Sequence, residues 1–223
     1  MQSLYEQLVA RLDELIGPID DGSPRARRRA HVLRVATELF AQQGYRKTSV
    51  DEVARRAGVA KGTIYTYYST KVDLAMAAIA LEKREHMGEV AEWLDPTRPA
   101  KERLRGLMLG MLLMPARMPL ATALLRGDED MATLMADLPP EFQVENIANR
   151  NMMLGSLIDE VARPHGWTQS ELDDRSAVIV SLAIVSVHLS EEHVRGGVPM
   201  ERFAEILVDT LIAGLESAAK KGS

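Results

Sequence analysis

Apolar residues recur along this chain at the spacing of amphipathic helices. Leu4, Leu8 and Leu12 lie on one apolar stripe, which predicts a short first helix that ends at the Gly17-Pro18 pair. No segment alternates convincingly between apolar and polar residues, and aromatic residues make up only 4% of the chain. Residue types that favour helices dominate instead, namely Leu, Ala, Met, Glu and Arg. We therefore expect an all-α fold.

Glycine, proline and capping residues divide the rest of the chain into further helices. Thr48 and Ser49 offer N-caps for a short helix. Ser69 or Thr70 caps a long helix that is expected to end near Trp93 and to form the only covalent path from the N-terminal helices to the remainder. The expected helices after the first cover about residues 25–44, 50–56, 61–68, 70–93, 99–114, short pieces within 121–135, 139–163, 169–195 and 199–219, with breaks at Pro115 and Pro119.

Length and composition exclude several classes of protein. The chain has 223 residues, 46% of them hydrophobic, which suffices for one domain or two small ones. It contains no cysteine, so disulfides and thiolate metal sites are excluded. The N-terminus is too polar for a signal peptide, and the longest apolar run, residues 177–189, is too short to cross a bilayer. These features predict a soluble, cytoplasmic protein without a membrane partner.

The net charge of -5 hides a basic segment. Residues 24–71 contain eleven Lys and Arg but three Asp and Glu, a net of +8, whereas the remainder carries 16 basic and 29 acidic residues, a net of -13. A basic segment on an acidic body indicates a local site for a polyanion. A solvated basic helix face is the other interpretation of the charge alone.

The segment from Gly44 to Leu74 combines two short helices with a turn at Gly58, where glycine is free to adopt a positive φ. A helix-turn-helix needs a compact core that holds its second helix outward. A helical hairpin with a polar face has a similar pattern. The side chains expected to form such a core are Val50, Val53, Ala54, Ala57, Val59, Ile64 and Tyr68, with Phe40 behind them.

The outward side chains of the second short helix suit nucleic acid. Lys61 supplies a cation, Thr63 and Thr66 supply hydroxyls, and Tyr65 and Tyr67 supply planar rings. Such groups bind phosphate oxygens, base edges and thymine methyl groups. Between residues 54 and 72 there is no carboxylate that would repel a phosphate backbone.

This stretch resembles the tetracycline-repressor (TetR) family of bacterial regulators. An aromatic-ended helix, ATELFAQQGYRKTSV, precedes DEVARRAGVAKGTIYTYYSTKVDL, and the family's usual form is close to TVxxIAxxAGVSxGTLYxHFxSKExL. Tyr67 and Tyr68 stand where His and Phe are more usual, and Val72-Asp73 is a further mild departure. The resemblance covers roughly residues 29–74. The matching positions are Gly58, Val59, Gly62, Thr63, Tyr65 and Lys71.

The resemblance implies a ligand-responsive transcriptional regulator, commonly a repressor, that binds a palindromic duplex as a homodimer. It implies a three-helix helix-turn-helix domain over 24–70 and a helical ligand-binding and dimerisation domain over 71–223, while residues 1–23 form an N-terminal extension outside the family's usual minimum. Residues 1–22 either dock as a helix or form, with the arginines after them, an arm that enters the minor groove. The expected DNA contacts are Arg29, Thr48, Ser49, Lys61, Gly62, Thr63, Tyr65, Thr66, Tyr67 and Lys71.

In this family the last two helices build the dimer as a four-helix bundle. Residues 177–189 are apolar on nearly every side, which requires burial on two faces, one of them against a partner. An ordinary core helix is the alternative. The expected interface residues are Ala183, Val187, Phe203, Leu207 and Gly214.

Methionine is soft and adaptable, and the middle of the chain is rich in it. We therefore expect a pocket there for a small apolar or amphipathic effector, although packing of a core explains most individual methionines as well. The expected lining residues are Met108, Met111, Leu112, Asn149, Met152 and Met153.

Two other classes of function compete with the regulator. An enzyme requires a site, but the five histidines are scattered, and His188 and His193 are not spaced for one helical face. We expect no catalytic residues, no cofactor and no metal site. A helical protein–protein adaptor without DNA binding is the stronger alternative, and binding to duplex DNA distinguishes the two.

Overall fold

The computed structural model describes residues 4–19, 21–126, 129–137, 154–189 and 191–217, and every regular element within them is helical, which confirms the predicted fold class. Its helices are α1 (Leu4–Ile16), α2 (Pro24–Lys47), α3 (Val50–Arg56), α4 (Lys61–Tyr65), α5 (Lys71–Glu85), α6 (Met87–Leu94), α7 (Ala100–Arg117), α8 (Pro119–Arg126), α9 (Glu129–Asp137), α10, whose described part is residues 154–162, α11 (Gln169–Leu189) and α12 (Met200–Glu216), with short 3₁₀ turns at Arg163–His165 and Glu192–Arg195.

These helices form two compact units. The first contains residues 1–88 and 118–139, and the second contains residues 89–117 and 140–223. The chain therefore passes from one unit to the other three times. The expectation of a single covalent path between the two parts is therefore wrong. The expected long helix is also wrong, because α5 ends at Glu85 and α6 starts at Met87. The expected domains, which end after residues 23 and 70, are defined by function and not by packing, and they stay a prediction.

Capping explains where several helices begin. The Ser49 hydroxyl accepts a hydrogen bond from the Glu52 N–H (3.1 Å), so Ser49 caps α3 as expected. Thr70 and Asp73 form a reciprocal capping box at the start of α5 (3.0 and 2.9 Å). The expected break at Pro115 is wrong, since α7 continues through it to Arg117.

The core of the first unit is built around α5, which packs against α1 and α2, while α8 and α9 pack against α2. The α5 segment from Leu74 to Ala80 is buried throughout, so this helix lies inside the unit. Side chains of α2 to α4 complete the core: Val32, Leu33, Ala36, Leu39, Phe40, Val53, Ala54 and Ile64.

The second unit is centred on α7, against which α11 and α12 pack. Gly106 and Gly110 on α7 form a notch for the indole of Trp93, because a Cβ at these positions would lie 2.2 and 2.4 Å from the ring. Two glycines inside a helix cost stability, which the flat ring contact offsets. None of the helices in the described ranges is long and apolar enough to span a membrane.

A buried carboxylate joins α5 to the start of α8 within the first unit. The Glu82 side chain accepts hydrogen bonds from the N–H groups of Leu120 (3.1 Å) and Ala121 (2.9 Å). These first-turn N–H groups have no partner within their own helix, so an acceptor from another helix satisfies them. Glu82 is only 6% exposed, and its burial raises the pKa of this carboxyl despite the two hydrogen bonds.

The raised pKa of Glu82 predicts a pH-dependent stability. The folded state favours the protonated form, so this contribution is fully present below the pKa of the unfolded chain and is lost as pH rises through the folded-state pKa. The glutamine of Glu82→Gln does not titrate. We therefore expect the free energy of unfolding of the wild type, relative to that of Glu82→Gln, to increase as pH falls from 7 to 5. Urea unfolding at both pH values measures this difference. Glu85→Gln removes an exposed carboxyl of the same helix, and an equal pH effect there would contradict burial as the cause.

Candidate nucleic-acid interface

The turn between α3 and α4 is closed by backbone hydrogen bonds. The Ala57 N–H donates to the Val53 carbonyl (2.8 Å), and the Val59 N–H donates to the Ala54 carbonyl (3.0 Å). Gly58 has a φ of +66°, a left-handed conformation that strains residues with a Cβ. This turn ends α3 and redirects the chain into α4, as a helix-turn-helix requires.

The inner side of α4 is anchored in the core of the first unit. Val53 is 0% exposed, Ile64 is 1% exposed and Tyr68 is 4% exposed, so the expected inward residues of the two helices are buried. Val59 differs, because it is only half-buried. With its inner side fixed, the opposite side of α4 must face solvent.

That opposite side carries most of the expected contact residues. Lys61, Gly62 and Thr66 are exposed, and Tyr65 is 44% exposed, which is high for a large aromatic side chain. Thr63 and Tyr67 are half-buried, as expected for residues at the edge of this face. The structure thus brings a cation, hydroxyls and a ring onto one surface of α4.

Gly62 has no role in the fold that requires glycine. It lies within α4, its φ is not positive, and a Cβ built on it would meet no atom within 4 Å. Glycine costs about 1 kcal/mol relative to alanine inside a helix. A glycine at such a position allows another molecule to approach the backbone closely.

The cations near α4 are held by local partners. Lys61 forms an ion pair with Asp51 across the turn, with Nζ and Oδ2 2.7 Å apart, and this hydrogen bond raises the pKa of Lys61. Lys71 lies over the Tyr45 ring at 4.1 Å from its centroid, and its Nζ donates to the Arg46 carbonyl at 3.5 Å. These contacts hold both ammonium groups near the surface.

Two of the expected contacts have different surroundings from those predicted. Thr48 is 1% exposed and its hydroxyl donates to the Gly44 carbonyl (2.8 Å), so this side chain closes the end of α2, and its contact to DNA stays a prediction. Arg29 is half-buried, with its guanidinium 4.9 Å from the centre of the Tyr67 ring. Ser49 is exposed, as expected.

Sequence reasoning missed several charged residues of this surface. The carboxylate-free stretch begins at residue 54 and so leaves out Asp51, whereas the fold brings this residue at the start of α3 to Lys61. The only signal for the rest was the high local count of basic residues. These additional exposed basic residues are Arg46, Lys47, Arg55 and Arg56.

The residues expected to line an effector pocket, as far as the structure describes them, belong to the core of the second unit. Met108 and Leu112 are 0% exposed and pack in the core of the second unit, with Met111 packed against that core. Asn149, Met152 and Met153 lie outside the described residues. A cleft of about 290 Å³ lies elsewhere in this unit, lined by Gly155, Asp159, Gln169, Leu172, Asp173, Ser176, Ala177 and Val180 of α10 and α11.

The expected dimer residues lie on two different faces of the last helices. Phe203 and Leu207 are half-buried against the core of their own unit, while Gly214 is exposed. For Ala183 and Val187 the backbone is helical, but their side chains lie outside the described part. Among the side chains of α11 and α12 that the structure describes, the large apolar residues that are exposed are Val178 (59%), Val185 (43%) and Ile206 (49%).

Comparison with known proteins agrees with this geometry. A family model described as bacterial regulatory proteins, tetR family, matches residues 32–78, which include α3, the turn and α4. The HTH-type transcriptional activator FasR of Mycolicibacterium smegmatis is 35% identical over 82 residues, which is 37% of this chain and 37% of that protein. The alignments span well under half of the length of the curated relatives that the chain matches.

Solved structures share the fold over most of the chain. The crystal structure of a TetR-like transcriptional regulator from Rhodococcus sp. RHA1 superposes with a TM-score of 0.61 at 22% identity, covering 86% of this chain and 98% of that one. AibR in complex with isovaleryl coenzyme A and operator DNA superposes with a TM-score of 0.60 at 18% identity, covering 83% and 98%. Residues 32–78, which include the helix-turn-helix, therefore match the tetR family of bacterial regulatory proteins, and the chain as a whole shares its helical fold with TetR-like regulators of known structure.

Proposed function

We propose that this protein regulates transcription by binding duplex DNA through α4 and the turn before it. The observation that carries the proposal is the outer face of α4, where Lys61, Gly62, Tyr65 and Thr66 are exposed while Ile64 is buried. Lys61 contacts a phosphate, Tyr65 and Thr66 reach base edges, and Gly62 lets the duplex approach the helix backbone. The family match over residues 32–78 supports this assignment.

The finer features of the proposed function are repression, a palindromic operator, a homodimer and a response to a ligand. Repression follows from a dimer that occupies its operator and excludes other proteins, and a two-fold dimer requires a two-fold operator with half-sites about one helical turn apart. Activation is the alternative to repression, since one relative, FasR, is named as a transcriptional activator. A helical adaptor remains the competing function, and absence of any binding to DNA would favour it.

The salt dependence of DNA binding tests the proposed contacts. Lys61→Ala should weaken binding to all duplexes similarly and reduce the slope of log K against log salt by about 0.9, the value for one phosphate contact. Thr66→Ala should instead change the preference between duplex sequences. Fluorescence anisotropy with random and selected duplexes from 50 to 200 mM salt measures both effects. No binding of the wild type at low salt would rule out the proposed function.

Asp51 competes with a phosphate for Lys61, so its removal provides a sharper test. We expect Asp51→Asn to tighten binding about threefold to tenfold, although the variant loses an acid in the first turn of α3 and should be slightly less stable. In the Lys61→Ala background the same substitution should have a much smaller effect. Glu38→Gln, which removes an exposed acid from α2, controls for net charge. An equal gain in Glu38→Gln would contradict a specific role for Asp51.

The homodimer is supported by the apolar side chains that α11 and α12 expose. Val178 and Val185 are two helical turns apart on α11, and Ile206 lies on α12. Apolar residues exposed on two long helices are typical of a surface that another copy covers.

Placing a charge on these helices should dissociate the dimer. We expect Val178→Glu and Ile206→Glu each to raise the dimer dissociation constant at least about tenfold, because the carboxylate would be buried in the interface. Sedimentation at micromolar concentrations measures the association. Val194→Glu is the matched control, since Val194 is 46% exposed in the 3₁₀ turn before α12. A wild type that sediments as a monomer would refute the proposed dimer.

The ligand response is supported by the apolar core of the second unit and by AibR, which has been crystallised with isovaleryl coenzyme A and operator DNA. We expect an acyl-coenzyme A or a related amphipathic molecule to bind the second unit, raise the melting temperature and weaken operator binding. Linkage requires the operator to weaken binding of that ligand by the same factor. A ligand that raises the melting temperature but binds equally with and without operator is not the effector.

A further inference from the structure

The N-terminal helix α1 is joined to the residue that follows α4 by a buried hydrogen bond. The Tyr68 hydroxyl donates to the Ile16 carbonyl at 2.9 Å, and Tyr68 and Ile16 are 4% and 1% exposed. An ion pair between Asp13 and Arg84 (2.8 Å) links the same end of α1 to α5. The last turn of α1 is therefore part of the core beneath the helix-turn-helix.

A second contact runs from α1 to the neighbouring tyrosine. Gly17, which ends α1 with a φ of +72°, lies so close to Arg29 that a Cβ there would be 2.2 Å from Nη1. The Arg29 guanidinium lies 4.9 Å from the centre of the Tyr67 ring and 5.9 Å from that of Tyr68, and its Nε is buried and has no hydrogen-bond partner among the described residues. Arg29 thus fills the space between α1 and both rings.

These contacts matter because α4 has only five residues. A helix of that length does not persist through its own hydrogen bonds, so its direction depends on what its flanking residues touch. On one side α4 is fixed by the turn at Gly58, and on the other by Tyr67 and Tyr68. The partners of these two tyrosines therefore determine how the outer face of α4 is presented.

We propose that α1 is a positioning element for DNA recognition: its last turn holds Tyr67 and Tyr68 through Arg29 and the Ile16 carbonyl, and thereby sets the orientation of α4. The proposal rests on the proposed function of α4. It makes Tyr68 and Arg29 positioning residues, and it replaces the expectation that Arg29 binds DNA. It also favours docking of the N-terminal segment over the minor-groove arm that the sequence left open.

Tyr68→Phe removes only the hydroxyl and is the first test. An operator is selected from a random duplex library, and dissociation constants are measured for it and for an unrelated duplex well below the melting temperature. We expect operator binding to weaken about fivefold to tenfold, as for loss of one well-placed hydrogen bond, with the unrelated duplex and the salt slope unchanged. A merely structural role would lower the melting temperature but leave operator binding unchanged, because the variant remains folded. Thr37→Val is the matched control, because it removes another hydroxyl of the first unit that donates to a backbone carbonyl, that of Leu33 in α2 (2.9 Å).

Arg29→Met separates positioning from phosphate binding. If Arg29 positions α4, the variant loses specificity for the operator and its salt slope is unchanged. If Arg29 contacts a phosphate, the variant has a salt slope lower by about 0.9 for all duplexes. Hydrogen exchange of the free protein gives a readout that does not require DNA binding. We expect faster exchange of the amides of residues 61–68 in Tyr68→Phe than in Thr37→Val. Equal exchange in the two variants, or unchanged operator specificity in both Tyr68→Phe and Arg29→Met, would overturn the proposal, whereas absence of DNA binding by the wild type would overturn only the proposed function.

Discussion

Burial of Ile64 and Tyr68 is the constraint on which the candidate interface depends. A helix as short as α4 gains too little from its own hydrogen bonds to persist, so apolar contacts with Val53 and its neighbours must fix it. Once these side chains are buried, helical geometry places Lys61 and Tyr65 on the outside. The same packing that stabilises the unit therefore determines which groups are available to a partner.

The electrostatics of this surface depend on local pairs as well as on the total charge. The basic segment has a net charge of +8, which acts over a distance comparable to the Debye length of about 10 Å and attracts any polyanion. Asp51 beside Lys61 and the Tyr45 ring beside Lys71 act over a few ångströms and fix the positions of the two ammonium groups. A positioned cation loses less side-chain entropy on binding, but a phosphate must compete with Asp51 for Lys61.

The two units differ in how they are held together. In the first unit a buried carboxylate, Glu82, satisfies the start of α8, and a buried hydroxyl, Tyr68, satisfies the end of α1. Such bonds are directional, so they fix helix positions more narrowly than apolar contacts do. The second unit has one such bond from the Trp167 indole N–H to the Leu215 carbonyl (2.9 Å), and it also uses close packing, with Trp93 seated against the glycines of α7. The chain passes between the two units at three points.

The sequence by itself determined the all-α fold class, the caps at Ser49 and Thr70 and the inward and outward sides of α4, because these depend on spacing and local chemistry within a few residues. It could not determine that Thr48 is buried, that Asp51 meets Lys61, or that α1 reaches Tyr68 across 52 positions of the chain. Nor could it show that Phe203 and Leu207 pack inward while Ile206 faces solvent, since all three are apolar and lie on neighbouring faces of α12. Such contacts join residues that are distant in sequence, and only the packing of whole helices decides which side chains meet.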